Sequence, residues 1–314
     1  MRPRSAIDSD SPWRRRSFAL GGVITALALL AAGCGRPAAS GSDGLEVVAA
    51  ENTWGSLAAQ VAGRDAHVTE LISNPAADPH DYEPTAADAR ALASAQLVIV
   101  NGIGYDPWAS RLLAANPVQG RVVLDVGKLL GLEAGANPHR WYSPSDVRLV
   151  IGAITHDLAK LDPGGSRGFT RRRAELETKG FERYDRLLAS IRARYRGVPV
   201  GASESVFAPL AQALGLELLT PSSFLRAISE GTEPTAADRT TIDDQLARRR
   251  IAAWVYNRQN TTPDVARITE AARRERIPVV PVTETLVPAN ATFQAWQARQ
   301  LQELARALAT GTGR

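Results

Sequence analysis

Asp78-Pro79-His80-Asp81-Tyr82-Glu83-Pro84-Thr85-Ala86-Ala87-Asp88, followed after a helical pattern by Gln96-Leu97-Val98-Ile99-Val100, sets the fold class of this chain. Thr85 is a helix-capping residue, and Asp88, three places on, can bond back toward the cap. The spacing predicts a helix from about residue 86 to 95, which leaves His80 on the loop that feeds it. The run 96–100 is almost wholly apolar and too short for a helix, as expected of a strand buried on both faces of a parallel sheet. Upstream, 46–50 and 66–72 read as strands around a helical stretch at 55–62. Short β-rich runs alternating with helices are the signature of parallel βαβ units. In such sheets, loops between strand ends and helix starts carry the ligand-binding groups.

Downstream, residues 122–125 form the next predicted strand. Before it, Asn101-Gly102-Ile103-Gly104 follows the 96–100 strand. This turn lacks the third glycine of a dinucleotide fingerprint, and Asp125 is poorly placed as its acidic partner, so it reads as a tight turn. Asn137-Pro138-His139-Arg140-Trp141-Tyr142-Ser143-Pro144 repeats the logic of the His80 stretch: Pro-His, an aromatic, then proline and a helix start. Proline before each histidine restricts the backbone, so both imidazoles sit on stiff loops. His67, inside a predicted strand, and His156, inside a predicted helix, have no donors around them and read as structural.

A helix over about 145–161 ends at Leu161-Asp162-Pro163-Gly164-Gly165. Residues 169–195 contain no proline and one glycine, and predict a connecting helix of about 25 residues, roughly 40 Å long. The β/α alternation then resumes, with strands at 198–202, 217–220, 251–256 and 279–282. Helices are predicted up to 214, over 263–276 and over 292–308. Glu233-Pro234-Thr235-Ala236-Ala237-Asp238 repeats the six residues 83–88, without a Pro-His before it. Glu204 and Glu284 each lie just past a strand end. The expected architecture is α/β: two lobes, each a mostly parallel sheet flanked by helices, joined by one long helix. The expected boundaries are 45–163, 164–196 and 197–314.

The first residues are expected to lie outside that fold. Arg14-Arg15-Arg16 precedes an apolar run, 18–32, too short to span a bilayer. Ala31-Ala32-Gly33-Cys34 then resembles the cleavage site of a bacterial lipoprotein signal, with 1–33 removed, Cys34 lipidated and 34–44 a flexible tether. Cys34 is the only cysteine, so the folded region has neither a disulfide nor a thiolate metal ligand. Removing 1–33 takes five arginines and two aspartates from 37 basic and 33 acidic residues, leaving 32 and 31. A net charge of +1 gives no electrostatic footprint for nucleic acid.

Two imidazoles and two carboxylates gathered at strand ends make a site for a divalent zinc, manganese or iron ion. The motifs resemble those of the metal-binding solute-binding proteins of bacterial zinc/manganese-type ABC importers. The resemblance rests on Asp78-Pro79-His80 before Tyr82-Glu83, Asn101-Gly102 with Gly104 before Trp108, Asn137-Pro138-His139 before Trp141, and Glu204 before Phe207. It covers nearly all of 45–310 and implies the periplasmic-binding-protein fold with a helical backbone. It implies His80, His139, Glu204 and Glu284 as metal ligands, with Glu284 where the family usually has an aspartate. The histidine-rich loop of many zinc-specific members is absent, since no histidine lies between His80 and His139. The implied protein is a monomeric, extracytoplasmic receptor, tethered to the membrane through Cys34, that delivers zinc or manganese to a permease and an ATPase. Two other readings stand beside it: an adhesion lipoprotein with a structural metal, and a metal-dependent hydrolase. Against an enzyme, the chain has no HExxH, no Gly-x-Ser-x-Gly and no cysteine nucleophile.

Overall fold

Eight short strands, rich in valine and alanine, build two sheets in the computed structural model. In chain order they are β1 (Leu45–Glu51), β2 (Ala66–Ile72), β3 (Leu97–Val100), β4 (Val122–Asp125), β5 (Pro199–Ala202), β6 (Glu217–Leu218), β7 (Trp254–Asn257) and β8 (Val279–Val282). The first sheet has the order β2-β1-β3-β4 and the second β6-β5-β7-β8, with every pairing parallel. Residues 44–76 and 79–314 are described by the structure. The signal, the tether with Cys34, and Asp78 of the first Pro-His motif lie outside them. Among the described residues, no helix is long and apolar enough to cross a membrane.

In both sheets the chain starts on an inner strand, moves to one edge, then crosses back to the other side. The order therefore reverses between β1 and β3, and again between β5 and β7. At such switch points the loops leaving the strand carboxyl ends diverge and leave a crevice.

Each sheet is covered on both faces. One apolar cluster runs continuously through the molecule, from Val47, Trp54 and Ile99 through Trp141, Phe181 and Trp296 to Val200 and Val255. A second cluster, with Phe224, Ile242, Trp254 and Ile268, covers the outer face of the second sheet. A third, with Val48, Leu92, Val98 and Trp108, does the same for the first. Gly201 on β5 has a packing reason: a Cβ there would stand 2.8 Å from the indole of Trp254, its partner on β7.

The capping logic is present in the structure. The Thr85 hydroxyl accepts from the Asp88 N–H, and the Asp88 carboxylate accepts from the Thr85 N–H at 2.6 Å, a complete capping box for the helix Ala86–Ser94. Thr235 and Asp238 repeat the hydroxyl half at Ala236–Ala247. The connector differs from one continuous α-helix. It comprises Ser166–Glu175, a π-helical turn at Leu176–Gly180, and Glu182–Tyr195. Arg148, from the helix Pro144–Leu161, donates to the Glu177 carbonyl in that turn and lies over the Phe181 ring at 4.6 Å.

Helices at Pro107–Ala115 and Ser222–Ser229 were not expected, and β6 is two residues rather than four. The terminal helix, Phe293–Thr312, stitches the two halves together. Its Phe293 N–H donates to Ser56 Oγ at 3.0 Å, and Gln294 and Gln60 exchange amide hydrogen bonds at 2.7 and 3.2 Å. Just upstream, the Leu286 N–H donates to Asn52 Oδ1. These contacts fix the loop after β8 against the start of the first helix, Asn52–Ala62.

Candidate metal centre

His80 lies in a short 3-10 turn, Pro79–Asp81, on the loop after β2. His139 immediately precedes a second such turn, Arg140–Tyr142, which leads into the helix beginning at Pro144. The two imidazoles meet edge to face, with ring centroids 5.6 Å apart. His80 Nε2 is 3.4 Å and His139 Nε2 3.1 Å from one atom, Glu284 Oε2. One donor atom from each of these three residues lies within 4.8 Å of the others. In a tetrahedral site with bonds of about 2.1 Å, neighbouring donors are roughly 3.4 Å apart, so the spacing fits one ion.

Glu204 is outside that trio. It follows β5 and is fully buried, and its Oε1 accepts from Asn257 Nδ2. The same amide nitrogen donates to Glu284 Oε1 at 2.7 Å. Asn257, at the carboxyl end of β7, thus ties the two carboxylates together, one hydrogen for each. Asn260 Nδ2 donates to Glu204 Oε2 at 3.1 Å. Of the four expected residues, the structure brings three into direct reach and holds the fourth one amide away.

Three other side chains shape the centre. The Tyr105 hydroxyl, from the glycine turn after β3, donates to Glu284 Oε2 at 2.7 Å, and its ring stands edge-on to His80 at 4.8 Å. That turn is held by Asp106, which accepts from the N–H groups of Asn101 and Gly102 at 2.7 and 2.8 Å. Gly102 has φ +69°, and a Cβ there would run into the Asp125 carboxylate. Asn137 is the second. Its Nδ2 donates to the Ser205 carbonyl at 2.7 Å, which turns Oδ1 toward the His139 N–H and Nδ1, each at 3.0 Å. Asn137 Oδ1 accepts the proton of a tautomer protonated on Nδ1, which leaves Nε2, 3.1 Å from Glu284 Oε2, as the ring atom to face a metal. Trp141, edge-on to His139 at 5.5 Å, is the third and forms the back wall.

Burial pushes the His139 imidazole below its ordinary value, against the opposing pull of the Glu284 charge. Burial alone would raise the Glu284 carboxyl. The charge and hydrogen bond of His139, followed by those of His80, outweigh it and hold Glu284 well below the usual carboxylate range. Burial favours loss of the His139 proton, which leaves a neutral imidazole beside an ionised carboxylate, the protonation state a metal needs. The loop bearing Glu284 is fixed from behind: Gln259 Oε1 accepts from the N–H groups of Glu284 and Thr285, and Gln300 Oε1 accepts from the Thr283 N–H.

Tyr105, Asn137 and Asn257 had no assigned role in the sequence reading. For Asn137 a signal existed, since the residue before each Pro-His is polar. Nothing local marks Asn257, whose role depends on residues 53 and 27 positions away.

His139, Glu204 and Glu284 are at most 1% exposed, whereas the His80 side chain is 23% exposed. His80 faces a cleft of about 740 Å³, lined from the first half by Tyr105 and Asn137 and from the second by Ser205, Arg226 and Asn260.

Known proteins are similar to this chain in sequence and in fold. Residues 47–307 match the family model described as ZnuA, zinc-uptake complex component A, periplasmic. The manganese-binding lipoprotein MntA of Halalkalibacterium halodurans is 33% identical over 150 residues, 46% of this chain and 50% of that protein. The zinc-binding protein TroA of Treponema pallidum is 27% identical over 211 residues, 62% of this chain and 63% of that protein. The chain thus spans about half the length of the first of these relatives. Among solved structures, the solute-binding protein FpvC of Pseudomonas aeruginosa in complex with Mn2+ superposes with a TM-score of 0.67 at 23% identity, covering 84% of this chain and 98% of that one. A crystal structure of ZnuA gives 0.67 at 21% identity over 85% of this chain and all of that one. Those structural likenesses establish the two-sheet fold, and the family match over 47–307 establishes kinship: the chain belongs to the ZnuA family of periplasmic zinc-uptake components.

Proposed function

We propose that this protein is an extracytoplasmic receptor that captures a divalent transition metal, zinc or manganese, and delivers it to the permease and ATPase of an ABC importer. The observation carrying this reading is the convergence of His80 Nε2 and His139 Nε2 on one oxygen of Glu284, at 3.4 and 3.1 Å. His80, His139 and Glu284 hold the ion, and Glu204 joins as fourth ligand by turning one oxygen from its amide partners. The ion is cargo, and no chemistry is done on it. Membership of a receptor family favours this over the adhesion and hydrolase readings. In the same reading Cys34 is the lipid anchor, and the 164–196 connector limits closure of the lobes 45–163 and 197–314, so release involves local shifts of the Glu204 and Glu284 loops.

Calorimetry of a His80→Ala, His139→Ala variant tests the proposal. No zinc or manganese heat is expected from it, and undiminished binding would overturn the reading.

The pH dependence follows from burial. An exposed imidazole takes up a proton below about pH 6.5 and ceases to be a ligand. His139 is lowered, so it carries no proton there, and Glu284 remains ionised still further down. Zinc affinity is therefore expected to be level from pH 8 to 6.5 and to decline only in more acidic solution. Competition against a pH-independent indicator checks this. One imidazole titrating at about pH 6.5 costs about twofold between pH 7.5 and 6.5 and about eightfold between pH 6 and 5, so a loss of about sixtyfold over the latter unit, the effect of two, would show His139 titrating like an exposed imidazole.

A further inference from the structure

Glu51, the last residue of β1, is a buried acid outside the metal-ligand set. It is 3% exposed, and among the described residues neither of its carboxyl oxygens meets a donor from another residue. Its neighbour is a second carboxyl, Asp106, itself 1% exposed, and the two are hydrogen-bonded. Two carboxylates in contact in a buried site cannot both be ionised, so the pair holds one proton. The surrounding donors decide where it sits. Asp106 accepts from the N–H groups of Asn101 and Gly102, at 2.7 and 2.8 Å, and these contacts favour its charged form. Glu51 has no such partners. Burial, and after it the Asp106 charge, pushes the Glu51 carboxyl well above the usual range. Burial raises Asp106 too, with its backbone donors and Glu51 pulling it back. The proton therefore sits on the Glu51 side of the pair.

What Asp106 holds is an unusual turn. Asn101, at its start, is anchored independently: Oδ1 accepts from Trp54 Nε1 at 3.1 Å, and Nδ2 donates to the Pro138 carbonyl at 2.9 Å. The next three residues, Gly102, Ile103 and Gly104, all have positive φ, at +69°, +58° and +83°. Ile103 is β-branched, so this backbone is strained and has to be held by its surroundings. At the far end the Tyr105 hydroxyl donates to Glu284 Oε2 at 2.7 Å.

We propose that Glu51 is a positioning residue for the metal centre. As a neutral acid it donates to Asp106, locks that carboxylate across the strained turn, and so sets the Tyr105 hydroxyl on Glu284. This rests on the metal-binding reading above and gives a role to a residue outside the ligand set.

Zinc titration of the full chain against a chelating indicator tests it, with Tyr105→Phe as the second arm of a double-mutant cycle. Losing an outer-shell partner of a metal ligand typically costs about 10–100-fold, and Glu51→Leu is expected to weaken zinc binding about tenfold. In the Tyr105→Phe background the same change is expected to cost less than about twofold, because its route to Glu284 is already cut. Glu51→Gln keeps an N–H donor for Asp106 and is expected to hold affinity within about threefold of the parent. Equal losses from Glu51→Leu in both backgrounds would mark a general destabilisation and overturn the inference. So would a Glu51→Gln variant as weak as Glu51→Leu. Should Glu51→Leu not fold, the isosteric Gln variant still decides. The infrared carbonyl band of a protonated carboxyl is expected in the parent at neutral pH and weakened in Glu51→Gln, and matching spectra would overturn the inference. An unmodified chain that fails to bind zinc would sink the metal reading and this role with it, whereas the variant outcomes sink the role alone.

Discussion

Glu284→Gln is expected to weaken zinc binding about a thousandfold, near 4 kcal/mol, while leaving the chain folded. The side chain keeps its shape, so Asn257 Nδ2 can still donate to the remaining carbonyl oxygen. What it loses is the negative charge on which both imidazoles converge. Removing one partner of a buried, hydrogen-bonded charged group typically costs about 3–5 kcal/mol, and each 1.4 kcal/mol is about tenfold. Glu204→Gln is expected to cost only about ten- to thirtyfold, because Glu204 gives up an amide hydrogen bond to reach the ion as fourth ligand, which offsets part of its contribution. Competition with a chelating indicator measures both. An affinity for the Glu284 variant within tenfold of the parent, or a larger loss from the Glu204 variant, would show that Glu284 is not the hub.

The second large effect is expected at Trp141. Its indole is fully buried and meets Trp54, Tyr105 and His139 edge to face, at 6.1, 5.1 and 5.5 Å. Its carbonyl accepts from Gln297 of the terminal helix at 3.3 Å. The residue therefore belongs both to the continuous core and to the wall behind the metal centre. Trp141→Ala is expected to destabilise by about 3–5 kcal/mol through lost burial and the void left behind. At roughly 2–4 °C per kcal/mol that is a Tm drop of about 10 °C. Added zinc stabilises in proportion to its affinity for the native state. With the His139 ring unsupported, the same zinc concentration is expected to raise the Tm of the variant less than that of the parent. Thermal scans with and without zinc check both points. A drop below about 2 °C, or an unchanged zinc shift, would separate the indole from the core or from the centre respectively.

Much of the fold was readable because its causes are local. The Thr85–Asp88 box needs only four residues in order, and it forms as the spacing requires. Residues 97–100 are apolar at every position, and all four are buried in β3. Val122–Asp125 and Val279–Val282 have the extents their composition predicts. The helix Pro107–Ala115 was also readable, from a proline at its first position after Asp106, yet it went unassigned beside the glycine turn. The π-helical turn at Leu176–Gly180 was not legible. Its residues favour helix as well as their neighbours do, and the departure coincides with Arg148 reaching in from another helix to the Glu177 carbonyl. The short β6 has the same kind of cause, for only Pro199 and Val200 of β5 are paired with it.

The candidate centre divides along the same line. The sequence by itself determined that two stiff Pro-His loops and two acidic strand ends exist, because proline and strand polarity act within a few residues. It ranked Glu284 below Glu204, since the resembled family usually has an aspartate where Glu284 stands. Only the tertiary structure decided between them. The terminal helix and the Leu286–Asn52 hydrogen bond carry the loop after β8 over to the first half, and so set Glu284 between His80 and His139. Asn257 keeps Glu204 a hydrogen bond away. The physical reason is that a metal site is defined by distances of about 3 Å between atoms far apart in the chain, and those distances are set by packing between elements, which no local pattern encodes.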